Sequence, residues 1–333
     1  MHPSEVLFQG KRQPLLLPTC DHYAGSEKLM RKSMALQQEL GPLFDITLDC
    51  EDGAAAGSEP EHAQLVTQLL NDEGNRFNRI GVRVHDSASA FFAGDVAVIV
   101  GGAAQRIAYV VLPKPDSVED VARAIELINQ HAAKAGRSAP LPVHVLIETH
   151  GALRDADAIA ALPQVECLSF GIMDFVSAHY GAIPGNAMRT PGQFTHPLVV
   201  RAKLDIAAAC HAHGKVPSHN VTTEIRDTAV VANDAQRAAA EFGFTRMWSI
   251  HPDQIKPIIK AFTPRLSEVN EATNILTDAS KADWGPTSQN GRLHDRASYR
   301  YYWTVLQRAK LAGLALPESA LAILNPDSPT RST

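Results

Sequence analysis

Charged residues collect directly behind short apolar runs in this chain of 333 residues. "LDCEDGA" at 48–54 places Asp49, Glu51 and Asp52 behind "LFDITL", and "GVRVHD" carries Arg83, with His85 and Asp86 just beyond it. "LPKP" carries Lys114, "IETHG" Glu148, "FGIMD" Asp174 and "SIHP" His251. Glu148 and Asp174 offer hard oxygen ligands with no sulfur or paired imidazole beside them. Such a set suits Mg2+ or Mn2+ that keeps several waters and takes its remaining ligands from substrate oxygens. Arg83 is a planar fork matched to a carboxylate or an enolate oxygen. A hard cation and an arginine facing a 2-oxo acid and an enolate would equip a site to make or cleave a carbon–carbon bond.

Each residue also has a plainer reading. Glu148 and Asp174 could be loop or helix-capping carboxylates, although two of them at neighbouring strand ends would repel without a cation. Arg83 could be a buried ion pair with Glu51 or Asp52, and Lys114 could bridge charges across the site or face the substrate. His85 could be a polar contact, and His251, before Pro252, is expected to be structural. No G-x-S-x-G occurs, and the cysteines lie in apolar runs, so a serine or cysteine nucleophile has no support.

Function of this kind needs a frame that brings distant strand ends together. From "QPLLLP" onward, short β-rich runs alternate with longer segments of helical period: "LLLP", "FDITLD", "RIGVRV", "IAYVVLP", "PVHVLIE", "VECLSFGI", "KVPS" and "FTRMWSI" each precede such a segment. Eight pairs within about 250 residues read as a (β/α)8 TIM barrel, whose active face is formed by the C-terminal ends of the strands. An open doubly wound sheet fits less well, because no glycine-rich phosphate loop follows the first strand. The barrel is expected over 13–263. A C-terminal helical extension over 264–333, with Tyr299, Tyr302 and Trp303, is expected to act as a lid or a subunit-contact segment. "EVLFQG" at 5–10 looks like a viral 3C protease recognition sequence, although Lys11 stands where proline normally follows, and residues 1–12 are left out of this fold reading.

Composition narrows the field. A chain that is 45% hydrophobic and 20% charged, with a net charge of -5, has an ordinary soluble globular composition and argues against a nucleic-acid groove or an anionic-membrane surface. No apolar run reaches the roughly 20 residues of a membrane span. Cys20, Cys50, Cys167 and Cys210 form no CxxC pair, as expected of reduced thiols in a cytoplasm.

The ordered set "LDCEDGA", "VRVHD", "VVLPKP", "LIETHGALRDADAIA", "LSFGIMDF", "FGFTRMWSIHPDQI" and "FTPRLSEVNEA" resembles the citrate lyase beta chain and malyl-CoA lyase family of the HpcH/HpaI-type aldolase superfamily, over about residues 13–275. The resemblance implies that Glu148 and Asp174 bind Mg2+. It implies that Arg83 contacts the oxo-acid or acyl portion, with Glu51 and Asp52 near the metal waters. It implies a homotrimer or dimer of trimers and a lyase that cleaves or forms a β-hydroxyacyl-CoA such as malyl-CoA or citramalyl-CoA, giving an acyl-CoA and a 2-oxo acid. An acyl-carrier thioester, a thioesterase on the same scaffold and a non-catalytic CoA or acyl-carrier binding subunit remain open.

Three positions depart from the family pattern. His85 replaces an asparagine, "CEDGA" replaces "LEDAV", and "TRMWS" replaces a small, basic pair, which puts Trp248 on the last strand with core packing as its expected role. In the tail, "GRLHDRASYRYYW" resembles the malyl-CoA lyase segment in which an aspartate, supplied by a neighbouring subunit, completes the site. The matching residue is Asp295. It is expected either to cap the last helix or to act as general base for the β-hydroxyl.

Overall fold

The structure, a computed structural model, describes residues 3–10 and 13–325. The chain divides into two compact units, one running from Leu17 to Phe262 and the other from Thr263 onward together with the residues up to Leu16.

The larger unit is a closed parallel barrel in which each strand pairs with the next and the eighth with the first. Its strands are β1 (Cys20–Ala24), β2 (Asp45–Asp49), β3 (Ile80–Arg83), β4 (Val110–Leu112), β5 (Val143–Ile147), β6 (Val165–Phe170), β7 (Val216–His219) and β8 (Arg246–Ser249). Helices alternate with them, so the (β/α)8 expectation holds. The first strand is a correction: "LLLP" forms none, and β1 is the polar "CDHYA". It can be polar because its charged group faces the barrel interior and finds a partner there. Helix starts are supplied locally. Ser26 and Ser117 accept hydrogen bonds from the amides of Leu29 and Asp120, opening the helices Glu27–Leu40 and Val118–Lys134.

The outward faces of the strands carry Ile46, Val82, Val110 and Val145, which join one continuous apolar core. The inward faces are layered. At the base, Arg246, wholly buried, bonds Asp45 at 2.6 Å and Asp21 at 3.0 Å, while the Tyr109 hydroxyl and the Thr47 hydroxyl donate to Asp21 Oδ1. Above lies an apolar layer containing Tyr23, Val111, Leu146, Val221 and Trp248. Charge returns at the C-terminal strand ends with Asp49, Arg83 and Glu148.

The smaller unit holds the helices Leu266–Lys281, Arg296–Leu311 and Glu318–Leu324, with the helix Pro3–Phe8. The segment 5–10, left out of the fold reading, therefore contributes: Leu7 and Phe8 are buried with Ile275, Leu276, Tyr299, Trp303 and Leu306. Tyr299 and Trp303 close this unit's own core. Between the first two of these C-terminal helices lies an antiparallel pair, Thr287–Gln289 with Arg292–His294, turning at Asn290 and Gly291, both at positive φ. Among the described residues no helix is long and apolar enough to cross a membrane.

Candidate active site

Strand register decides which charges meet. Asp49 closes β2 directly opposite Arg83, which closes β3. Because β2 reads "DITLD", Asp45, Thr47 and Asp49 share the inward face, and the Arg83 side chain enters the same space. Its guanidinium makes a bidentate pair with Asp49, Nε to Oδ1 at 2.7 Å and Nη2 to Oδ2 at 2.5 Å, and Nη1 lies 3.0 Å from Glu51 Oε2. Burial works against this charge, but Asp49 outweighs it and holds Arg83 above the usual arginine range. The plainer reading of Arg83, a buried ion pair with Glu51 or Asp52, holds for Glu51, and Asp49 adds a bidentate partner that it did not name. Gly53 makes the turn possible: its amide donates to Asp49 Oδ2 at 2.9 Å, and a Cβ there would lie 2.2 Å from that oxygen.

Lys114 ties the opposite rim to this pair. Its ammonium bonds Glu51 and, at 2.7 Å, Asp52, and it lies 3.7 Å from Asp174 Oδ1. Partial burial disfavours its charge, yet the hydrogen bonds it donates to Asp52 and Glu51 prevail and raise its pKa. The same residue sits at φ +50°, a strained backbone for lysine, which turns its own amide onto Glu148 Oε1 at 2.9 Å.

Glu148 follows β5 and is 2% exposed. Its Oε2 accepts no hydrogen bond among the described residues and lies where a Cβ on residue 171 would be, 2.0 Å away, so only glycine fits at Gly171. Burial, reinforced by Asp174, pushes Glu148 up to about 8. Asp174, in the first turn of Ile172–Ser177, is part-exposed, at 41% of its side chain. A buried carboxylate with one unused oxygen, raised by a second carboxylate, is an arrangement that a hard cation relieves. Among the described residues no group of three or more His, Cys, Asp or Glu is placed to hold a metal ion. Two carboxylates suit Mg2+ or Mn2+ because such ions retain waters and accept substrate oxygens.

Thus Arg83, Glu51, Asp52, Lys114, Glu148 and Asp174 come together on one face of the barrel. His85 does not join them. Its ring bonds Asp95 Oδ2 at 2.7 Å, its amide bonds the same oxygen at 3.0 Å, and it packs at a tilt against Phe91. Asp95 lies ten positions downstream inside "FFAGDV", and nothing in the sequence marked it as this partner. His251 accepts from the amide of Asp253 at 3.3 Å and opens the short turn Pro252–Gln254, the structural role expected of it. Asp295 belongs to the smaller unit. There it caps Arg296–Leu311 through a capping box, Oδ1 accepting from Ala297 and Ser298, while Oδ2 accepts no hydrogen bond among the described residues.

Comparisons with known proteins identify the family and the fold. The model of the HpcH/HpaI aldolase/citrate lyase family matches residues 32–252. L-malyl-CoA/β-methylmalyl-CoA lyase of Rhodobacter capsulatus is 28% identical over 80% of this chain and 87% of its own length. A citrate lyase crystal structure from Burkholderia xenovorans LB400 is 59% identical, with a TM-score of 0.86 over 97% of this chain and 99% of that one. The CitE protein of Mycobacterium tuberculosis, solved with magnesium, acetoacetate and coenzyme A, shares the fold at 24% identity and a TM-score of 0.67, over 90% of this chain and 99% of that one. The chain belongs to the HpcH/HpaI aldolase/citrate lyase family and is an enzyme of the lyase class.

Proposed function

We propose that this family member is a divalent-cation-dependent carbon–carbon lyase acting on a β-hydroxyacyl-CoA thioester, such as malyl-CoA or citramalyl-CoA. It yields an acyl-CoA and a 2-oxo acid, or joins them in reverse. The observation that carries the reading is Glu148, a carboxyl buried at a strand end, raised to about 8, with Oε2 unused and Asp174 beside it. Those two residues would hold Mg2+ or Mn2+, which when bound supplies Lewis acidity toward the oxo-acid oxygens. The relatives' names, L-malyl-CoA/β-methylmalyl-CoA lyase and citrate lyase, support the substrate class.

The chain's own groups then divide the work. Nε and Nη2 of Arg83 donate to Asp49 and Nη1 lies in ion-pair range of Glu51, which leaves N–H groups on the terminal nitrogens for a carboxylate or a developing enolate oxygen. Asp49 holds the fork in place. Glu51 and Asp52 share Lys114 and keep the mouth of the site polar. Asp295 is the general base that takes the β-hydroxyl proton as the carbon–carbon bond breaks. It is brought by the C-terminal segment of a neighbouring subunit in a homotrimer or dimer of trimers, and this segment acts as the lid.

Incubation with Mg2+ and malyl-, methylmalyl- and citramalyl-CoA, with separate assays for free CoA and 2-oxo acid, tests the reaction class. Oxo acid without free CoA is expected. Free CoA without oxo acid would mean a thioesterase instead.

A further inference from the structure

The ionic site rests on an aromatic floor that the chemistry above leaves unused. The Arg83 guanidinium lies 5.4 Å over the Tyr23 ring, and Tyr23 packs on Trp248 at 4.7 Å between ring centroids. From β8 the indole passes the end of β7 and donates Nε1–H to the carbonyl of Phe170, 3.3 Å away on β6. Phe170 precedes Gly171, the residue on which Glu148 is packed. A continuous run of contacts therefore leads from Arg83 through Tyr23 and Trp248 to the strand end beside Glu148. Tyr23 and Trp248 retain 6% and 8% exposure, whereas Val111 and Leu146 in the same layer retain none. Together with Val221, at 5%, the two rings hold most of the surface that this layer leaves open. Beneath them the ion pairs of Arg246 with Asp21 and Asp45 are self-contained and have no route to a substrate.

We infer that Tyr23 and Trp248 are the specificity-determining floor of the acid pocket, which limits the 2-oxo acid to a short side chain lying flat on the indole. The inference rests on the lyase reading above and adds the residues that would hold its oxo acid to glyoxylate or pyruvate size. Two planar side chains joined to each other and anchored to Phe170 cannot recede to admit more carbon, and their faces offer a longer polar chain no hydrogen bond. The pocket is therefore closed by shape at one end and by Arg83 at the other.

The test uses the full-length protein with Mg2+, wild type and the variants Trp248→Phe, Trp248→Ala and Tyr23→Leu, with circular dichroism to establish folding. Condensation of acetyl-CoA is assayed with glyoxylate, pyruvate, 2-oxobutyrate and 2-oxovalerate, and oxo-acid binding is followed separately by tryptophan fluorescence. In the wild type, kcat/KM should fall steeply after pyruvate. Removing the indole should move the ratio of 2-oxobutyrate to pyruvate upward by about 10- to 100-fold, the range that one methylene commands in a shaped pocket. Glyoxylate should quench the wild-type emission, and the quench should vanish in Trp248→Phe. An unchanged order of acids in every folded variant, or a quench that persists without Trp248, would overturn the floor. A wild type that shows the quench but turns over none of the acids would support the floor and count against the lyase reading.

Discussion

Exchanging Glu148 for glutamine keeps the side chain's shape, keeps an oxygen to accept the Lys114 amide, and removes the charge. In the cation-free protein Glu148 is held at about 8 by burial and by Asp174, whereas an unfolded glutamate titrates near 4.5. Its folded pKa is raised, so its contribution to stability is fully present below pH 4.5 and is lost as pH climbs through 8. The loss over that window is roughly 5 kcal/mol, and for a domain of this size it corresponds to a fall in Tm on the order of 10 °C. Glu148→Gln has no such titration. In chelator, the two proteins should match near pH 4.5 and diverge steadily, the variant melting higher by pH 9. Added Mg2+ should recover the wild type at pH 9 and leave the variant unmoved, while the variant loses its lyase activity. Calorimetry across this pH range with and without Mg2+ provides the check. Parallel melting curves for the two proteins at every pH would refute the account of Glu148 as a charge awaiting a cation.

Arg83→Lys keeps the charge but cannot span both oxygens of Asp49. It should lower kcat by at least about 100-fold, and it should also lower Tm, because a buried carboxylate is left half-paired. Unchanged turnover with reduced Tm would assign Arg83 to structure alone. Gly171→Ala puts a methyl where Glu148 Oε2 lies, so it should abolish the Mg2+-induced rise in Tm even if the barrel still folds; a full Mg2+ response would contradict the packing described. Asp295→Asn and Glu148→Ala, each inactive alone, should regain partial activity when co-expressed, since mixed oligomers would contain intact composite sites. A fully active Asp295→Asn would leave that residue only its helix cap.

The barrel was legible because strand-length apolar runs and helical periods alternate, and the charged strand ends stood out against them. The first strand did not follow this pattern. Its inward Asp21 is paired with Arg246, a partner 225 positions away, so a sequence read for apolar runs passes over "CDHYA" and stops at "LLLP". Asp49 was visible in the acidic burst but could not be singled out, because β-register alone sets it opposite Arg83 rather than Glu51 or Asp52. His85 looked like a pocket contact, and only the turn after β3 reveals that Asp95 holds it. The aromatic floor was hidden for a different reason. Trp248 read as a core residue of the last strand, Tyr23 lay in a strand that the pattern passed over, and their meeting beneath Arg83 is a product of barrel closure between β8 and β1.

The central claim is that two carboxylates and one arginine at these strand ends support carbon–carbon cleavage of a CoA thioester. The direct measurement is the stoichiometry of products from citramalyl-CoA or malyl-CoA, by mass spectrometry, with Mg2+ and again with chelator in excess. One 2-oxo acid per acyl-CoA formed, with Mg2+ and not with chelator, is the predicted result. Intact thioester with Mg2+, or equal cleavage in chelator, would contradict it.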